Sequence, residues 1–150
     1  MSDIMNSEFI IALHALAYLD HRRTKVSSEE LAKSICTNPA RIRKVMAKLK
    51  KAGLLITREG NSGGYELSAP ASAIRLSDLA QALQQPLLKS GWRSGTLNTY
   101  CMIATGMGSV VDTLEASLNE ECLRHLSHIT IEDISRQLLV LHKNNNNKEE

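Results

Sequence analysis

Thr37-Asn38-Pro39-Ala40-Arg41-Ile42-Arg43-Lys44-Val45-Met46-Ala47-Lys48-Leu49-Lys50-Lys51-Ala52-Gly53 reads as one helix with two chemically opposite sides. Asn38 is a capping side chain, and Pro39 is tolerated in the first turn, where its missing N–H loses nothing. Ile42, Val45, Met46 and Leu49 recur at three- and four-residue intervals and form the inner side. At about 100° per residue, Ala40, Lys44, Ala47 and Lys51 fall opposite, flanked by Arg41, Arg43, Lys48 and Lys50. Gly53 ends the helix in the left-handed conformation that a terminus favours.

Upstream, Phe9, Ile10, Leu13, Leu16, Ala17 and Tyr18 make a stripe that predicts a helix over 6–20. Ser27 and Glu30 have capping-box spacing, and Leu31, Ala32 and Ile35 give the following short helix an apolar face. Downstream, residues 54–58 and 65–67 read as two short strands joined by a glycine-rich turn through Gly60, Asn61, Ser62, Gly63 and Gly64. Helix, helix, turn, basic helix, glycine-tipped hairpin is the order of a winged helix-turn-helix, in which the third helix enters the major groove of duplex DNA. No acid lies four residues from the lysines on helix three to neutralise them, and Ala40 and Ala47 leave room for base edges.

Composition agrees with that reading. The chain has 150 residues and a formal charge of only +2, but residues 21–58 hold eleven Lys and Arg against two acids, and the remainder is acidic. One domain, or a domain with a helical extension, fits this length. Five aromatic residues are too few for a platform that stacks single-stranded bases. No apolar run reaches the roughly 18–20 residues of a membrane span and no leader pattern is visible, so a cytoplasmic protein without membrane attachment is expected.

Leu76-Ser77-Asp78 opens a fourth helix with Leu79, Ala80 and Leu83 along it, which Pro86 ends, and residues 87–105 read as a loop or linker. From Ser109 onward, Val111, Leu114, Leu118, Cys122 and Leu126 form a single stripe long enough to need a partner, with Asp112, Glu115, Glu120 and Glu121 elsewhere on the surface. Thr130 and Asp133 cap a last helix bearing Ile131, Ile134, Leu138, Leu139 and Leu141, and the polar tail over 144–150 is expected to be disordered. The expected organisation is a DNA-binding domain over 1–75 and a helical linker and dimerisation region over 76–143.

The turn-helix segment 37–45, the Ala52-Gly53-Leu54 helix end and the Gly60…Gly63-Gly64-Tyr65-Glu66-Leu67 wing together resemble the Rrf2 family of bacterial winged helix-turn-helix regulators (the IscR, NsrR and CymR group). The resemblance covers about residues 5–140. It implies a mainly α fold with a small β-hairpin wing and a long carboxy-terminal helix that pairs two copies. It further implies a homodimeric repressor or activator, here expected to be a repressor, and a two-fold dimer should recognise an inverted-repeat operator. Carried onto this chain, it puts double-stranded DNA contact on Asn38, Arg41, Arg43 and Lys44 of the helix and on Asn61, Ser62 and Gly63 of the wing. Lys48, Lys51 and Arg58 join them on charge and position. Glu59 stands where wings of this family often carry Arg, with Arg58 one place earlier. Val111, Leu114, Leu118, Cys122 and Leu126 are the expected dimer stripe.

Several members of the family hold an iron–sulfur cluster on three cysteines gathered before the dimer helix. Here Cys101 lies in that region, the place resembling the third ligand falls near Ser109, Cys122 comes a dozen residues later, and Cys36 belongs to the DNA-binding unit. No cofactor is therefore expected. An odd number of irregularly spaced cysteines is no disulfide framework. Cys122, His125 and His128 have the spacing of a weak soft-metal site but lack a fourth ligand, so no metal is assigned. His14 reads as a partly buried packing residue. Cys101, outside the stripe, is the redox candidate, and a regulator sensing thiol oxidation, or a small molecule between the linker near Trp92 and the long helix, is one alternative. The other is a protein-interaction module with an incidental basic face. Gly60-Asn61-Ser62-Gly63-Gly64 matches the letters of a serine-hydrolase elbow, but a strand rather than a helix follows. Gly106-Met107-Gly108 lacks the third glycine of a dinucleotide fingerprint, and an enzyme is not expected.

Overall fold

In the computed structural model, which describes residues 5–60 and 63–148, six helices and one hairpin follow in the order α1 (Ser7–Arg22), α2 (Ser28–Ile35), α3 (Pro39–Lys51), β1 (Leu55–Arg58), β2 (Gly64–Leu67), a single 3₁₀ turn at Ala71–Ala73, α4 (Leu76–Leu83), α5 (Met102–Leu126) and α6 (Ile131–Asn146). The alternating apolar stripes of α1 and α3 meet α2 and α4 in one core, where Leu16, Leu31, Ile42, Val45, Met46, Leu49 and Leu79 are completely buried. Four of the six helix starts are capped by a local side chain. The Asn6 side chain accepts the Glu8 N–H, Ser27 accepts that of Glu30, Asn38 that of Arg41 and Thr130 that of Asp133. At the end of α3, Leu54 N–H bonds back to the Leu49 carbonyl while Gly53 takes φ 79°, which lets the chain reverse directly into β1.

The hairpin pairs Leu55 with Leu67 and Arg58 with Gly64, and Val26 adds a bridge to Tyr65 on its outer edge. That bridge is why a glycine stands at 64: a Cβ there would lie 2.6 Å from the Val26 carbonyl oxygen, a backbone atom with little freedom to retreat. Gly64→Ala is expected to cost about 1–3 kcal/mol, as overpacking does, and thermal melting should show Tm lowered by several degrees.

Several sequence expectations change. Glu30 does not close a capping box with Ser27. Its carboxylate accepts the Tyr18 hydroxyl at 2.8 Å and lies 3.4 Å from Arg22, because α1 packs across the start of α2. Helix α4 ends at Leu83, three residues before Pro86, with Gln84 in the left-handed region at φ 55°. Residue 75 does not divide the core: Leu76, Leu79, Ala80 and Leu83 pack with α1 and α3, and the start of α6 joins them through completely buried Ile131. Backbone bonds from Leu76 to Ile129 and from Ile131 to Ile74 fasten that junction. Helix α6 runs to Asn146, with turn at 147 and 148, so the described part of the tail continues the helix. Asn146 meets the His142 ring one turn back at 3.2 Å.

The segment between α4 and α5 is irregular, as the glycines imply, but it is tied down. It runs along α5 and is held by three of that helix's polar side chains at helical spacing. Asn119 exchanges two hydrogen bonds with the Leu88 backbone, Glu115 accepts from Ser90 N–H and hydroxyl, and Asp112 takes Arg93 at 2.8 Å through both oxygens. Asp112, exposed as expected, and the partly buried Glu115 thus also act as fastenings. Gly108 lets the Arg93 guanidinium lie flat on the helix, since a Cβ there would come within 2.5 Å of Nε.

Candidate nucleic-acid interface

Helix α3 buries Ile42, Val45, Met46 and Leu49 and leaves Ala40, Arg41, Arg43, Lys44, Ala47, Lys50 and Lys51 exposed. Neighbouring elements hold the cations that flank its two edges. On one edge, Arg41 donates to the Ser7 hydroxyl at 2.8 Å, and Lys48 donates to a Glu8 carboxylate oxygen at 2.6 Å. The second Glu8 oxygen is 3.6 Å from the Lys44 ammonium. On the other edge, Arg43 reaches the Ser28 hydroxyl at 3.4 Å and Glu29 at 3.8 Å. Lys50 and Lys51 form no ion pair among the described residues. Asn38 caps the helix through its side-chain oxygen, which keeps only its amide N–H groups for a ligand.

The absence of a neutralising acid within helix three is therefore only half the electrostatics. Glu8 comes from the first turn of α1, 40 residues from Lys48 in sequence. Partial burial works to raise its pKa, but the hydrogen bond and charge of Lys48 and the charge of Lys44 prevail and hold it below 4.5. A carboxyl depressed by folding contributes stability that is present above its unfolded pKa and lost as pH falls through the folded value. Wild-type and Glu8→Gln proteins should therefore differ in urea midpoint at pH 7, and the difference should shrink as the pH falls through the lowered pKa of Glu8, on the acid side of the ordinary carboxylate range.

In the wing, Arg58 is exposed and lies 3.6 Å from Glu66 on the facing strand. Gly63 closes the tip by an N–H bond to the Gly60 carbonyl at 2.9 Å, and a Cβ on it would strike the Arg58 carbonyl oxygen at 2.5 Å. Asn61 and Ser62, the other expected wing contacts, lie outside the described residues.

The expected dimer stripe does not share one exposed face. Leu114 and Leu118 are 58% and 54% exposed, whereas Cys122 and Leu126 pack against the core and Val111 lies half-buried under the Trp92 segment. Each four-residue step advances about 40° around a helix, so a run of fours turns from one side to another. Ile103, Met107 and Val110 join Leu114 and Leu118 on the open side, each 37–63% exposed. Their spacing was visible in the sequence; it was missed because α5 begins at Met102 rather than near Ser109.

Cys101 is exposed and immediately precedes α5, where its carbonyl accepts from the Thr105 hydroxyl. His14 is exposed, with its ring 2.8 Å from the Ser34 hydroxyl, rather than packed inside. Among the described residues, no three His, Cys, Asp or Glu side chains converge as a metal site, Cys122, His125 and His128 included. No helix among those residues is long and apolar enough to cross a membrane.

A helix-turn-helix with a two-stranded wing and an open basic third helix defines a winged-helix regulator. Residues 5–137 match the Rrf2 family, described as iron-dependent transcriptional regulators, and the chain belongs to that family. It is a transcriptional regulator and not an enzyme. It is 27% identical over 135 residues to the HTH-type transcriptional regulator YwnA of Bacillus subtilis, covering 90% of this chain and 99% of that one. It is likewise 27% identical over 112 residues to YwgB of the same organism, covering 69% and 70% of the two chains. A crystal structure of a transcriptional regulator from Lactobacillus plantarum superposes with a TM-score of 0.71 at 26% identity, covering 93% of this chain and 97% of that one. The fold of the B. subtilis cysteine regulator CymR is similar, with a TM-score of 0.58 at 19% identity over 91% of this chain and 98% of that one. Among the described residues the side chains do not fit the iron of the family description: Cys101 lies at the start of α5, and Cys122 faces the core nearly six turns further along.

Proposed function

We propose that this regulator acts as a homodimer that binds an inverted-repeat operator in duplex DNA, with α3 in the major groove and the wing at the adjacent backbone and minor groove, and that it represses by occupying that site. The observation that carries the reading is the uncovered outer side of α3, where two alanines lie between cations while all four apolar residues are buried. Small residues permit close approach to base edges, and Arg41, Arg43, Lys44, Lys48 and Lys51, with Asn38, supply phosphate and base contacts. Arg58 and Gly63 belong to the wing surface, and the expectation for Asn61 and Ser62 stands as a proposal with them. The apolar side of α5 at Leu114 and Leu118 pairs with a second copy, which would set two α3 helices about 34–36 Å apart, one turn of DNA.

The test is titration of the protein onto duplex fragments selected from genomic DNA, at several salt concentrations. Binding should weaken by about 0.9 log units per phosphate contact for each tenfold rise in salt. No binding at low salt, or binding indifferent to salt, would reject the DNA reading and favour a protein-interaction module.

A further inference from the structure

The proposed DNA face carries its own counter-anion. Glu8 sits in the crease between α1 and α3, its side chain only 13% exposed, with one oxygen 2.6 Å from Lys48 and the other 3.6 Å from Lys44. Lys44 reaches outward from that pair and is 69% exposed. The other two acids that hold cations of this face differ in kind: Glu29 is 71% exposed and 3.8 Å from Arg43, and Glu66 is 3.6 Å from Arg58 on the wing. Among the described residues, Glu8 alone bridges two lysines of the groove-facing helix from a position largely shielded from solvent and salt.

Resting on the reading of α3 as the DNA helix, we propose that Glu8 is a specificity-determining residue, whose carboxylate competes with DNA phosphate for Lys44 and Lys48 and so suppresses binding to non-operator duplex. A lysine already paired with a carboxylate gains little by exchanging it for a phosphate, and while it stays paired it neutralises no phosphate and so releases none of the cations condensed on the DNA. The carboxylate left behind also faces the incoming backbone as a like charge. Both effects act on the sequence-independent part of binding, which phosphate contacts dominate. Hydrogen bonds and methyl contacts to base edges do not pass through Glu8. An operator that makes them overcomes the pairing, and a random sequence does not.

Glu8→Gln tests this in the full chain by fluorescence anisotropy on two duplexes, one of random sequence and one selected by the wild-type protein. The expected result is affinity for random duplex raised about 5- to 10-fold, with the log-log salt slope steeper by about one to two units as two lysines are freed. Affinity for the selected duplex rises less, so the ratio between the two falls. In Glu8→Gln/Lys48→Met, part of the added slope disappears again. Unchanged or weaker binding to random duplex at the wild-type slope would mean that Glu8 only fastens α1 to α3, and would overturn the proposal. Should Glu8→Gln be unfolded at the assay temperature, Glu8→Asp carries the test: it retracts the charge by one methylene, binding should still tighten, and unchanged binding overturns the proposal. If neither wild type nor variant binds duplex at any salt, the DNA reading itself fails, and the inference fails with it.

Discussion

Replacement of Arg41 and Lys44 together by Ala should reduce affinity for a selected duplex by at least about 100-fold, because a good base contact is worth about 1–3 kcal/mol and a dimer presents each side chain twice. Both side chains are exposed, and their partners are weak anchors: one serine hydroxyl for Arg41, and an ion pair at 3.6 Å for Lys44. A hydrogen bond to a surface serine and a long ion pair through a mostly exposed lysine contribute about 0–1 kcal/mol each, and Glu8 keeps Lys48 at 2.6 Å, so the melting temperature should move by only a few degrees. Ala is also a good helix former, and neither position belongs to the buried side of α3. The measurements are anisotropy across a salt series and a thermal melt on the same preparation. Retained affinity in a folded double variant would show that α3 does not dock as described. The sign is opposite to that expected for Glu8→Gln on the same face, so the two variants together separate loss of a contact from loss of its competitor.

A second large effect is expected on α5. Leu114→Glu with Leu118→Glu should convert a dimer to monomers in sedimentation or light scattering and reduce operator affinity by about 100-fold or more. Two linked recognition helices gain from an effective concentration that a monomer lacks. More than half of each side chain is exposed in the single chain, so the charges meet solvent rather than core, and helical circular dichroism should be unchanged. The same substitutions at Cys122 and Leu126 would instead strike the side of α5 that packs on the core beside α4, and would destabilise the subunit itself. A dimer that survives Leu114→Glu/Leu118→Glu would place the pairing surface elsewhere, and the exposed Leu138, Leu139, Val140 and Leu141 of α6 would be the next surface to alter.

The winged helix was legible because its signals are local. Asn38 and Pro39 mark a helix start through atoms within three residues, the 42-45-46-49 spacing needs only the helical period, and Gly53 and the hairpin glycines mark positions that side chains resist. The long helix was legible in kind but not in phase. Its first turns contain Gly106 and Gly108, which argue against a helix by propensity, and only the Arg93 side chain lying across Gly108 explains one of them. With the start placed too late, a run of four-residue steps looked like one stripe, and two faces were merged.

The candidate interface divided in the same way. Which residues of α3 point outward follows from periodicity, and the structure leaves those positions exposed. Which of their charges are already paired does not, because the partners arrive from other elements. Glu30 illustrates the converse: spacing assigned its carboxylate to a local cap, and the approach of α1 drew it to Tyr18 and Arg22 instead.

By itself, then, the order of residues determined the helix-turn-helix, the wing and the basic side, since each is set by interactions between neighbours a few positions apart. Tertiary structure alone decided that Glu8 meets Lys44 and Lys48, that Asn119 and Glu115 hold the segment before α5, and that the leucines of α5 divide between core and solvent. Those outcomes depend on which helices cross and at what rotation, and charges 40 residues apart are joined only when packing of the whole core brings them within a few ångströms.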